Sequence, residues 1–87
     1  MTGFERDKGV MFTYADKNGS RPMSWAYWNL VISIRDVGLF TKGIKPYGGW
    51  KFGWVKEYFG VKGRKDKVYE QLIQMLEEYK LELINNK

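Results

Sequence analysis

The chain has 87 residues, of which 44% are apolar and 17% aromatic, enough for one hydrophobic core and too few for a second. It contains neither cysteine nor histidine, which excludes disulfides, thiol nucleophiles, imidazole bases and the usual zinc ligands. The formal net charge is +5 and it is uneven: eight bases face two acids between Lys42 and Lys67, a local excess of +6, while residues 68–87 hold two bases against four acids.

The first residues, MTGFERDKGV, lack the charged-then-apolar layout of a secretory signal, and no apolar run approaches the roughly 20 residues that cross a bilayer. A cytoplasmic location away from membranes is the expectation. Residues 1–23 read as a hairpin or extended segment. GVMFTYA sets Val10, Phe12 and Tyr14 on one face, and Asn18-Gly19 suits a two-residue turn. The return strand, SRPM, is expected to be short, at an edge or absent, because Pro22 cannot donate to a ladder. Asp16 and Asn18 resemble the start of a calcium loop, but the later ligands are missing and turn chemistry explains them.

Residues 24–41 read as a central helix capped by Ser24. Tyr27, Leu30, Val31, Ile34 and Val37 form one apolar stripe and Trp25, Trp28, Ile32 and Leu39 another, as expected of a helix packed on two sides. LVISI alone would equally suit a buried strand, and Gly38 and Gly43 mark where the helix frays or stops. Residues 42–49 are a glycine- and proline-rich connector without the Gly-Lys-Ser/Thr ending of a phosphate-cradling loop.

Residues 50–87 read as a helical pair. Trp50, Trp54, Val55, Tyr58 and Phe59 share the face of a short helix, with Gly60 as its left-handed stop and Val61 closing the contact behind it. The last helix starts after Gly63 and carries Val68, Leu72, Met75, Leu76, Tyr79 and Leu83 in register. Its first turn is unusual. The N-terminal end of a helix presents free N–H groups and a positive dipole, so acids are favoured there, yet Arg64, Lys65 and Lys67 accompany the single Asp66. Bases placed against the dipole ask for a compensating anion such as phosphate. A helix start capped by Asp66 and otherwise solvated is the alternative.

WVKEYFGVKGRKDKVYEQLIQML resembles the SAP motif, a helix, loop and helix found in DNA-binding and chromatin-associated proteins; the likeness spans residues of about 50–78. Val55, Lys56, Tyr58 and Phe59 match its first helix, Gly60 and Val61 that helix's end, and Gly63, Lys65, Val68 and Leu72 its second helix. The loop is shorter than in the family, and Lys62 stands where a hydroxyl residue often precedes the glycine. The resemblance implies that Gly63 and Lys65, with Arg64 and Lys67, face a DNA backbone. The rest of the chain is similar in style to small bacteriophage proteins.

The fold expected is mainly α (α+β), a short N-terminal β-hairpin followed by three helices, the last two a SAP-like helical hairpin. The nucleic-acid-binding candidates are Lys51, Lys56, Lys62, Gly63, Arg64, Lys65 and Lys67. Tyr47 and Phe52, off the main stripe and beside Lys45 and Lys51, are candidates for stacking on bases. Catalysis is not expected, since Ser20, Ser24 and Ser33 have no base to activate them and Glu77 and Glu78 point apart on a helix. No cofactor or metal is expected. The partners expected are DNA, duplex or single-stranded, or alternatively a host protein held by an aromatic-rich surface as a phage-type inhibitor would be. Leu81 and Ile84 offer a homodimer seam on the C-terminal helix.

Overall fold

The computed structural model describes residues 2–17 and 19–85. It is the mainly helical α+β fold expected, with one helix more: α1 (Gly3–Asp7), β1 (Met11–Asp16), β2 (Gly19–Ser24), α2 (Trp25–Thr41), α3 (Phe52–Phe59) and α4 (Lys65–Asn85).

The extra helix has a local cause that the hairpin reading passed over. Thr2 and Glu5 stand in the spacing of a capping box, and the Thr2 hydroxyl accepts from the Glu5 N–H at 3.2 Å. The strands behind α1 pair antiparallel from Met11↔Ser24 to Asp16↔Gly19. The return strand therefore forms in full, longer than expected, and Pro22 sits opposite Thr13. Both strands of a two-stranded ribbon are edges, so a residue without an N–H is tolerated. Asn18 lies outside the described residues. Phe12 and Tyr14 pack on α2 through Trp25 and Trp28, with the Phe12 and Trp25 ring centres 5.5 Å apart and those of Tyr14 and Trp28 5.7 Å apart.

α2 is a helix throughout, including LVISI. Ser24 caps it by accepting from the Tyr27 N–H at 3.0 Å. Gly38 lies inside the helix rather than at its end. A Cβ there would meet the Tyr69 ring at 3.2 Å, so the glycine lets α4 approach closely. The helix closes beyond Thr41, where the N–H groups of Gly43 and Ile44 return to the carbonyls of Phe40 and Leu39, both at 3.0 Å.

α4 packs on α2 more extensively than on any other element. Tyr69 lies against Gly38 near one end, while at the other the Tyr79 hydroxyl and Ser24 Oγ are 2.8 Å apart, so the two helices run antiparallel. The fully buried side chains Leu30 and Val37 of α2 and Val68 and Leu72 of α4 form the centre of the core. Leu83, expected on the inner stripe, is 51% exposed because α4 outruns α2. α3 ends as expected: Gly60 has φ 66°, and the Val61 N–H returns to the Lys56 carbonyl at 3.1 Å. No helix among the described residues is long and apolar enough to cross a membrane.

α1 is tied to α3 by a polar chain. The Tyr58 hydroxyl donates to Asp7 Oδ2 at 2.6 Å and accepts from Asn29 Nδ2 at 2.9 Å. The Tyr58 bond lowers the Asp7 pKa below its ordinary 3.8, against an opposing effect of burial. Burial first, and then the bond to Asp7, push Tyr58 up to about 12. The signs fix two pH windows. A lowered carboxyl pKa contributes stability above the unfolded value that is lost as pH falls through the folded one; a raised phenol contributes below about 10 and loses it by about 12. Tyr58→Phe should therefore lower the melting temperature at neutral pH and flatten the stability profile at both extremes. Chemical denaturation across pH measures this, and superimposable profiles for the two proteins would refute it.

Candidate nucleic-acid interface

The connector between α3 and α4, residues 60–64, is held by one apolar anchor and one amide. Val61 is buried, and Gln71 Nε2 donates both to the Lys62 carbonyl at 2.8 Å and to the Lys67 carbonyl at 3.0 Å. The connector is thus fixed against the first turns of α4, with the Lys62 side chain left exposed. Gly63 takes φ 116°, a conformation that side chains rarely adopt, and a Cβ there would also press the Lys67 Cβ at 3.2 Å.

Arg64 is the N-cap of α4, its carbonyl accepting from the Val68 N–H at 2.9 Å. An arginine cannot accept a hydrogen bond from the first turn as Ser or Asp would. Among the described residues, no acceptor meets the backbone N–H groups of Lys65, Asp66 or Lys67. Asp66 is exposed and joins no hydrogen bond or ion pair among the described residues, so the self-capped start is not the arrangement found. The mouth of α4 is open and surrounded by Lys62, Arg64, Lys65 and Lys67, all exposed. The single ion pair there among the described residues, Lys67 to Glu70 at 3.9 Å, joins two highly exposed side chains and restrains little.

A second helix adds to this face. Lys65 Nζ lies 5.5 Å from the centre of the Phe40 ring, Lys56 Nζ lies 5.6 Å from that of Phe52, and the two rings are 5.1 Å apart. Phe40 closes α2, Phe52 opens α3 and Lys65 opens α4, so three helix ends meet at an aromatic pair flanked by cations. Three of the five acids of α4, Glu77, Glu78 and Glu82, lie towards its other end, where Glu82 meets Lys8 at 3.7 Å. Charge is therefore graded along the 21-residue helix.

Not every candidate joins this face. Lys51 lies over the ring of Trp54, 5.7 Å from its centre, on a different side of α3 from Phe52. Phe52 is half-buried and packed on Phe40 and Trp50, so it is not a free platform for a base. Tyr47 is 56% exposed, as a stacking residue requires. Trp54 departs most from expectation: assigned to the inner stripe, it is 53% exposed. α3 has barely two turns, and Val55, Phe59 and Trp50 from the preceding loop fill its inner side. The Lys51/Trp54 spacing of three residues was the available signal for an exposed, cation-covered ring. Leu81, expected to be left over from the core, is exposed, while the side chain of Ile84 lies outside the described residues. Comparison with protein families, curated proteins and solved structures finds nothing similar to this chain.

Proposed function

We propose that the chain is a small non-enzymatic nucleic-acid-binding protein that holds the phosphate backbone at the basic mouth of α4, in the manner that the SAP-like resemblance implies. The observation that carries this reading is the gathering of Lys56, Lys62, Arg64, Lys65 and Lys67 around an uncapped helix start, with Lys56 and Lys65 brought together over the Phe40–Phe52 pair. One cation has an internal explanation. Lys65 stands beside the last turn of α2, whose dipole attracts positive charge. Lys62 and Arg64 have no ion-pair partner among the described residues, and a phosphate supplies what the fold does not. Gly63, free of a side chain, leaves the backbone accessible to a phosphate oxygen.

The cytoplasm, or the host cytoplasm for a phage-encoded chain, is where such a protein would act. A second reading, binding of a host protein, draws on the exposed rings of Trp25, Tyr47 and Trp54, since aromatics of this kind anchor protein interfaces. Titration of the folded chain with a generic oligonucleotide at low salt separates the two. The first reading requires binding there; a chain that binds none is left with the second.

A further inference from the structure

We propose that the groove between α2 and α3 receives a nucleobase from a single-stranded nucleic acid, stacked on the exposed rings of Tyr47 and Trp54. This deepens the nucleic-acid reading above and rests on it. The groove has a volume of about 280 Å³, near the lower end of ligand pockets, and is lined by Asn29, Ser33 and Asp36 of α2, Tyr47 of the connector, and Trp54 and Tyr58 of α3. Most aromatic side chains of this protein pack against another ring. Tyr47 and Trp54 meet no other ring among the described residues, and both line this one cavity. Exposed rings beside a basic surface are the platform on which single strands stack their bases.

The inner side of the groove can read a base edge. Asp36 is buried, and its Oδ1 receives Arg35 Nη2 at 3.2 Å and Nε at 3.3 Å. Its Oδ2 has no partner among the described residues and can accept from an exocyclic amine. Aromatic walls with a carboxylate would also suit a cationic side chain, but the charges decide against it. Arg35 already offsets Asp36, and Lys51 Nζ already lies over Trp54. A cation would enter a site with no net negative charge, whereas a neutral base brings an anionic phosphate that Lys51 can meet.

The test measures affinity of the wild type, Trp54→Ala, Trp54→Phe and Lys65→Glu for single-stranded DNA and RNA oligomers of about 20 nucleotides and for a duplex of the same length. Trp54→Ala should weaken single-strand binding about 5- to 100-fold with little change on the duplex, and Trp54→Phe should retain most of the affinity. A selective loss on either sugar, or on both, supports the proposal and identifies the strand. If Trp54→Ala leaves single-strand affinity unchanged while Lys65→Glu weakens both ligands, stacking is overturned and the phosphate reading survives. If the wild type binds no oligomer, both fail. A lysine-rich peptide that binds the wild type but not Trp54→Ala, with oligomer affinity unaltered, would give the groove to a cationic partner and overturn the proposal.

Discussion

Lys65→Glu should weaken oligonucleotide binding by about 10-fold or more at low salt, the loss of one charge-assisted contact together with a new repulsion at the mouth of α4. The fold should lose about 1 kcal/mol or less. Lys65 is exposed at the first position of α4, where an acid interacts favourably with the helix dipole by about 0.3–1 kcal/mol. That gain is set against the exposed cation–π contact with Phe40, about 0.5–1 kcal/mol, and the attraction to the end of α2, about 0.3–1 kcal/mol, both of which the change removes. Affinity and stability therefore move independently. A melting curve and a binding isotherm on the same protein check this, and unaltered affinity in the folded variant would remove Lys65 from the interface.

Leu72→Ala should destabilise the fold by about 3 kcal/mol, within the 2–5 kcal/mol typical of a fully buried leucine. Leu72 is fully buried with Leu30, Val37 and Val68 at the α2–α4 contact, and Gly38 already draws the helices together beneath Tyr69, which leaves little room for collapse around the cavity. For a domain of this size the loss corresponds to a drop of about 12–24 °C in melting temperature. Leu83→Ala, at an exposed position on the same helix, should cost about 0.5 kcal/mol or less. Thermal unfolding of the two variants side by side gives the comparison; similar shifts for both would mean that α4 is not held by α2 as described.

Much of this architecture is written in local signals. Ser24 before an apolar periodicity locates the start of α2, Gly60 and Val61 the end of α3, and Gly63 the approach to α4, because caps and left-handed glycines act within a few residues. The bases of the α4 mouth are legible for the same reason, since four of them fall within six residues. Features that depend on distant neighbours were not legible. Trp54 shares an apolar pattern with Val55 and Phe59, and only the placement of Trp50 in the core leaves it outside. Phe52 looks free along the chain, yet Phe40, twelve residues earlier, covers it. Pro22 argues against a strand until the ribbon proves to have two edges. α1 is different: the Thr2/Glu5 spacing was present, overshadowed by the stronger hairpin pattern beside it.

The same distinction explains how the site is divided. Lys62, Gly63, Arg64, Lys65 and Lys67 are set by one helix start, while Lys56 reaches them only through the stacking of Phe52 on Phe40. Lys51, close to Lys56 in sequence, is drawn away by Trp54. The basic segment is thereby divided between the mouth of α4, proposed to hold phosphate, and the groove beside Trp54, proposed to hold a base.

The most direct measurement is the salt dependence of oligonucleotide affinity. With Lys56, Lys62, Arg64, Lys65 and Lys67 each neutralising one phosphate, the logarithm of the binding constant should fall against that of salt with a slope of about −3.5 for a single strand and about −4.5 for a duplex. Between about 50 and 200 mM salt, affinity should then drop by about 100- to 500-fold. Binding that persists across that range with a slope shallower than about −1 would contradict phosphate capture at the mouth of α4.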